Sequence, residues 1–145
     1  MIHDEIKKLY KKFDTYNPYE IAKMKDIDIL TIDLDIESYG MTVSNSRCRT
    51  IIINGNIHPK LQEFTVAHEL GHCVLHRELS TPFMRRTCAY STISKLEAEA
   101  HRFAFTLLSK QYPGMRSMNK YQVIDLFNLP QFMERFMDQK DYEED

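Results

Sequence analysis

FTVAHELGHCVLH, residues 64–76, is the most informative segment of this 145-residue chain. Its apolar residues continue a helical pattern that starts at Pro59, so the sequence predicts one long helix from about residue 59 to residue 78. His68 and His72 are separated by four positions, which in a helix corresponds to ~40° of rotation and ~6 Å of rise. Both imidazoles would therefore point from one face toward one point, as the first two ligands of a Zn²⁺ ion do.

Two other residues of the same segment extend this hypothesis. Glu69 would lie ~100° round the helix from His68, which is too far for a third ligand but suits a general base acting on water at the metal. Gly71 is unfavourable by ~1 kcal/mol relative to Ala inside a helix, so it predicts a close approach by the helix that carries the next ligand. The alternative is that the two histidines are ordinary hydrogen-bonded core residues.

A third ligand is predicted in a later helix, from about residue 92 to residue 109. We prefer Glu97 as this ligand, with His101 on the same face to orient either Glu97 or a ligand histidine. Glu99 is a less favoured ligand because it would point ~160° away from Glu97. The alternative is that both glutamates are simply exposed on the helix surface.

His76 lies one turn beyond His72 and has two possible roles. It could act in catalysis, by donating a hydrogen bond to an oxyanion or by binding substrate. Alternatively it only ends the helix, where the dipole favours an imidazolium. The extended motif H-E-x-x-H-x-x-G-x-x-H is absent, since Leu75 and Leu79 stand where it needs Gly and His.

The remaining elements predict an α+β fold, because helices and strands are segregated along the chain. We expect a small, mostly antiparallel three-stranded sheet packed against the motif helix and further helices. Residues 1–140 are predicted to form a single domain, residues 80–91 a loop and residues 141–145 an acidic tail. The predicted elements are helices over Ile2–Phe13 and after Asn17-Pro18, strands near Ile27–Leu34, Tyr39–Val43 and Thr50–Ile53, and C-terminal helices within residues 119–138.

Composition excludes several functional classes. The chain has 19 Lys and Arg against 21 Asp and Glu, a net charge of −2, so direct nucleic-acid binding is not expected. Asp125–Pro130 loosely suggests a helix-turn-helix, but few basic residues accompany it. No apolar run approaches the ~20 residues that span a membrane, and the charged residues near the N-terminus make a signal peptide there unexpected. Cys48, Cys73 and Cys88 are too few and too scattered for a disulfide framework, which fits a cytoplasmic protein; Cys73 is predicted to be a core residue.

Several separate segments together resemble the ImmA/IrrE family of HExxH metallopeptidases. The resemblance covers about residues 17–109, in the same order, and rests on Asn17–Ala22, Gly40-Met41, Ile51–Asn54, Glu63–His76 and Glu97–Leu108. It implies a zincin-like fold with one Zn²⁺ held by His68, His72 and Glu97. Departures are His101, where the family usually has Asn or Asp, and Ser109-Lys110, where it has Met-Pro.

The resemblance further implies that Glu69 is the catalytic base and that the substrate is a helix-turn-helix repressor in a bacterial or phage system. The predicted function is therefore that of a zinc endopeptidase acting as an anti-repressor in the cytoplasm. The alternative is a zinc-containing regulatory module that grips a partner protein without cleaving it. A fourth protein ligand such as Cys73 or Cys88 would favour the alternative, and an open position would favour the peptidase.

Overall fold

The computed structural model describes residues 1–44, 49–77, 84–85 and 95–137. Its helices and strands confirm the predicted α+β class. In the described ranges the α-helices are α1 (Ile2–Phe13), α2 (Pro18–Met24), α3 (Pro59–Leu75), α4 (Lys95–Gln111) and α5 (Lys120–Phe127), the strands are β1 (Ile27–Ile32), β2 (Ser38–Ser44), β3 (Arg49–Asn54) and β4 (Met84–Arg85), and the 3-10 helices are Pro113–Ser117 and Gln131–Phe136.

The sheet differs from the predicted one in two respects. Its strand order is β1-β3-β2-β4, and β2 pairs antiparallel with both of its neighbours. However, β1 pairs with β3 in parallel, so the sheet is mixed. A short fourth strand, β4, lies in the segment that the sequence predicted to be a loop.

Asn54, at the end of β3, holds the connection between the two earlier strands. Its buried side-chain amide donates to the carbonyl oxygens of Asp35 and Ser38, at 2.7 and 2.8 Å. Its side-chain oxygen accepts from the backbone N–H of Leu34 at 3.2 Å. These bonds hold the β1–β2 connection across the end of β3. Strand β3 occupies the space between β1 and β2.

Helix α3 is the central element, and every residue from Phe64 to Val74 is buried. Two glycines allow its neighbours to approach closely. A Cβ at Gly40 of β2 would lie 2.8 Å from Cγ2 of Thr65, and a Cβ at Gly71 would lie 3.0 Å from the ring of Phe103 in α4. The prediction that Gly71 marks close packing by the next ligand's helix is confirmed.

Several predicted boundaries need correction. Helix α3 ends at Leu75 and not at residue 78, because the backbone of His76 leaves the helical region (φ −127, ψ 61). Helix α4 continues two residues beyond its predicted end, and Leu96 is 41% exposed and does not share its buried face. The second predicted C-terminal helix is a 3-10 helix, Gln131–Phe136.

Other predictions lie outside the described residues: the start of the glutamate helix at 92–94, most of the 80–91 loop, Cys48, Cys88 and the tail 141–145. The single domain over residues 1–140 stays a prediction. None of the helices in the described ranges combines the length and the apolar character needed to cross a membrane.

Candidate metal centre

Three side chains from two helices converge at the centre of the molecule. His68 and His72 come from α3 and Glu97 comes from α4, and one potential ligand atom from each lies within 4.8 Å of the others. Nε2 of His68 is 3.4 Å from Oε1 of Glu97, and Nε2 of His72 is 2.6 Å from Oε2 of Glu97. The structure thus brings together the three residues that the sequence predicted as metal ligands.

The geometry of this cluster fits a divalent metal ion. Both Nε2 atoms are buried, yet neither makes a hydrogen bond of acceptable geometry to a described residue. Two donors ~2 Å from a tetrahedral ion lie about 3.3 Å apart, close to the 3.4 Å between His68 and Glu97. The 2.6 Å between His72 and Glu97 is shorter than this, so these two side chains would have to separate slightly to hold an ion. Two imidazoles and one carboxylate form the donor set of several catalytic zinc sites. Within the described ranges the cluster has no fourth protein ligand.

The charges of the cluster are strongly coupled. Burial lowers the pKa of His68, but the carboxylates of Glu97 and Glu69 outweigh burial and raise that pKa above its ordinary value. Burial also opposes ionisation of Glu97, yet His68 and His72 hold the pKa of its carboxyl far below the usual range. Without metal, the cluster is therefore held together by ion pairing between an imidazolium and a carboxylate.

Glu69 is buried next to this cluster and has a fixed orientation. The hydroxyl of Thr42, on β2, donates to Oε1 of Glu69 at 2.6 Å. The other oxygen, Oε2, lies 3.7 Å from Nε2 of His68 and therefore faces the ligand atoms. Thr42 was not identified from the sequence, since no motif contains it. Only the close approach of β2 at Gly40 brings it to α3.

His76 and Glu99 lie behind the ligands. His76 is the C-cap of α3, as one of its two predicted roles required. Its Nδ1 is 2.9 Å from Nδ1 of His72, and its Nε2 is 2.9 Å from Oε1 of Glu99. Both ring nitrogens of His76 are thus engaged by protein groups, an arrangement that leaves no ring N–H for an oxyanion. Glu99 contacts His76 and is not part of the ligand cluster.

His101 packs against the ring of His68. Its ring centroid is 4.4 Å from that of His68, so it contacts a predicted ligand as expected. Burial holds the pKa of His101 well below its usual range, and the neighbouring His68 lowers that pKa further. A neutral imidazole in this position adds no positive charge beside a metal ion.

Cys73 is buried, as predicted, and is not part of the ligand cluster. The guanidinium of Arg49 donates to its backbone carbonyl. Burial raises the pKa of the Cys73 thiol to about 11, which disfavours the thiolate that metal binding needs.

The chain is similar to known proteins over most of its length. A family model for Peptidase M78, described as the IrrE N-terminal-like domain, matches residues 22–137. An uncharacterized immunity region protein 2 of Bacillus phage phi105 is 37% identical over 108 residues, 74% of this chain and 68% of the relative. Metallopeptidase ImmA of Bacillus subtilis (strain 168) is 32% identical over 138 residues, 91% of this chain and 80% of the relative. No solved structure shows a significant match.

Proposed function

Because the chain belongs to the ImmA/IrrE family of metallopeptidases, Peptidase M78, we propose that it is a zinc-dependent endopeptidase with a zincin-like fold. The observation that carries the proposal is the convergence of His68, His72 and Glu97 beside a buried carboxylate, Glu69, that faces them. We propose His68, His72 and Glu97 as the zinc ligands and Glu69 as the catalytic base.

A bound zinc ion supplies Lewis acidity, which acidifies a water molecule and polarises the peptide carbonyl. Glu69 takes the proton of the attacking water on Oε2 and passes it to the leaving amine. Thr42 occupies Oε1 of Glu69 and so directs Oε2 toward the reacting atoms. His101 packs against His68 and limits the movement of that ring.

For the substrate, we propose a DNA-binding repressor with a helix-turn-helix domain, which would make this peptidase an anti-repressor. The similarity to a phage immunity region protein and to metallopeptidase ImmA supports a protein substrate in phage regulation. Such a substrate places the enzyme in the cytoplasm of a bacterial host. Neither direct nucleic-acid binding nor a membrane is part of the proposal.

The test compares three variants in the presence of Zn²⁺ and the helix-turn-helix repressor encoded nearest to the gene. We expect the natural chain to bind one Zn²⁺ and to cut the repressor at a defined bond, identified by mass spectrometry. Glu69→Gln should keep the zinc and lose about 10²–10⁴-fold in cleavage rate. His68→Ala should lose both zinc and cleavage. Glu63→Gln is the matched control, since Glu63 is also on α3 but bonds Tyr112, away from the centre.

Two results would contradict the proposal. If Glu69→Gln cleaves at the natural rate, Glu69 is not the base. If the zinc-loaded natural chain binds the repressor and leaves it intact, the alternative holds, and the protein is a regulatory module that grips its partner.

A further inference from the structure

Strand β1 lies at one edge of the sheet, and within the described ranges no strand pairs with its outer side. We propose that an extended, basic segment of a protein partner binds at this edge as an additional strand, paired with the backbone of Ile29 and Thr31. Under the proposed function the partner is the DNA-binding repressor. The identity of the partner therefore rests on the proposed function, whereas the docking site does not.

The backbone groups available at this edge follow from the pairing of β1 with β3. The carbonyl oxygen of Ile32 accepts from the N–H of Gly55, just after β3, at 2.8 Å, so Ile32 directs its backbone groups toward β3. Because successive strand residues direct these groups to opposite sides, Leu30 also faces β3, while Ile29 and Thr31 face outward. These two residues offer two donors and two acceptors, which is the pattern an added strand uses.

Side chains near β1 provide contacts for both faces of an added strand. Leu30 and Ile32 lie on one face of β1 and are 51% and 37% exposed. Between α2 and β1 there is a cavity of about 500 Å³, lined by Tyr19, Lys23, Asp26 and Ile27–Ile29. Alternate side chains of an added strand would contact Leu30 and Ile32 on one face and enter the cavity on the other.

Charge determines which partner fits this edge. Residues 26–37 contain five acidic residues and no Lys or Arg, whereas the whole chain has a net charge of −2. Asp26, Asp28 and Asp33 are exposed, and none forms an ion pair with a residue in the described ranges. A second copy of the chain does not fit, because two β1 strands would oppose like charges. A DNA-binding protein does fit, since it carries Lys and Arg to neutralise phosphates.

The docking site is separate from the candidate metal centre. Strand β3 lies between β1 and β2, and β2 carries Thr42, which bonds Glu69. Because adjacent strands are ~4.8 Å apart, a strand added to β1 would lie roughly 14 Å from β2. The added strand would therefore hold the partner without being the segment that is cut.

The probe is a fluorescent peptide of about ten alternating lysine and valine residues, titrated into the full metal-free chain at low salt, about 50 mM. Binding is measured by anisotropy, and backbone hydrogen exchange is followed by NMR. We expect the peptide to slow exchange at the N–H groups of Ile29 and Thr31. Exchange at Leu30 and Ile32, whose N–H groups face β3, should stay as it is.

Two pairs of variants separate the backbone contribution from the charge contribution. Thr31→Pro removes an outward N–H where an edge strand tolerates proline, so it should weaken peptide binding about tenfold, whereas Thr31→Val should bind like the natural chain. Asp28→Asn combined with Asp33→Asn should weaken binding about three- to tenfold. The matched control is Asp4→Asn combined with Asp125→Asn, which changes the net charge equally at exposed positions on α1 and α5.

The inference is overturned if the peptide does not bind, or if Ile29 and Thr31 exchange at the same rate with and without saturating peptide. Equal weakening by the two double variants would also overturn it, because the attraction would then be general. If Thr31→Pro fails to fold, exchange in the natural chain decides, since that measurement needs no variant.

The repressor is tested as the partner by cleavage kinetics. The double variant at Asp28 and Asp33 should raise KM about three- to tenfold and leave kcat unchanged. An unchanged KM would exclude the repressor as the occupant of this edge. Because the peptide titration uses neither zinc nor cleavage, failure of the proposed function would leave its result standing.

Discussion

Replacing Gly71 by Ala tests the close packing that brings α3 and α4 together. In an unobstructed helix this change stabilises a protein by ~1 kcal/mol. Here the new Cβ would lie 3.0 Å from Cδ1 of Phe103 and 3.1 Å from its Cβ and Cγ. Because the Cβ of Phe103 is attached to the backbone of α4, a rotamer change cannot relieve the clash. Overpacking of this kind costs ~1–3 kcal/mol, so we expect a net loss of about 1 kcal/mol.

The overpacking at Gly71 should also displace helix α4 and so affect the candidate metal centre. If α4 moves by a few tenths of an ångström, Glu97 moves with it while both histidines stay on α3. We therefore expect Gly71→Ala to weaken zinc binding about tenfold, in the range found when groups that support metal ligands are changed.

The assay is urea unfolding of the metal-free chain, followed by a zinc titration of the folded variant. Gly114→Ala is the matched control, because a Cβ there meets nothing within 4 Å and its φ is not positive. That variant should be neutral or slightly more stable, and its zinc affinity should not change. If Gly71→Ala is more stable than the natural chain, the contact with Phe103 does not set the helix separation.

Three further predictions concern the same region. Thr42→Val should fold and bind zinc but lower the cleavage rate about tenfold or more, because its side chain cannot donate a hydrogen bond to Glu69. Thr42→Ser keeps the hydroxyl and should restore the rate. Equal cleavage rates in the natural chain and both variants would contradict the role of Thr42. Removing zinc with a chelator should lower Tm by roughly 5–10 °C when the ion was present at 100 times its Kd, as calorimetry can check. In a chain with Cys48 and Cys88 changed to Ser, Cys73 of the folded protein should react with a thiol reagent at pH 8 about 100-fold more slowly than Cys73 of the urea-unfolded protein, because burial raises the pKa of its thiol to about 11. An equally rapid reaction in the folded protein would show that the thiol is accessible.

The parts of the site that are local in sequence could be predicted, whereas the parts that depend on packing between elements could not. The spacing of His68 and His72 and the presence of Gly71 were sufficient because a helix relates them by fixed geometry. Thr42 has no such relation to Glu69, since the two residues are 27 positions apart and meet only because β2 crosses α3.

The sheet shows the same limit. Alternation predicted the strands, and their bounds agree to within a few residues, but it predicted neither the parallel pairing of β1 with β3 nor the bonds by which Asn54 holds the β1–β2 connection. Hydropathy patterns contain no information about which carbonyl groups an asparagine will bind. The contact between His76 and Glu99 was missed for a related reason: the predicted helix continued through His76, whereas the observed helix ends there.

The central problem of this fold is that α3 is buried on all sides and still carries ionisable residues. A buried polar group destabilises the fold unless it is paired, and two neighbours of α3 provide partners for its ionisable side chains. Strand β2 provides Thr42 for Glu69, and α4 provides Glu99 for His76. Among the buried side-chain atoms that remain are the Nε2 atoms of His68 and His72, to which no described residue makes a well-oriented hydrogen bond. A metal ion would satisfy both of them together with Glu97, at the position where the proposed chemistry takes place.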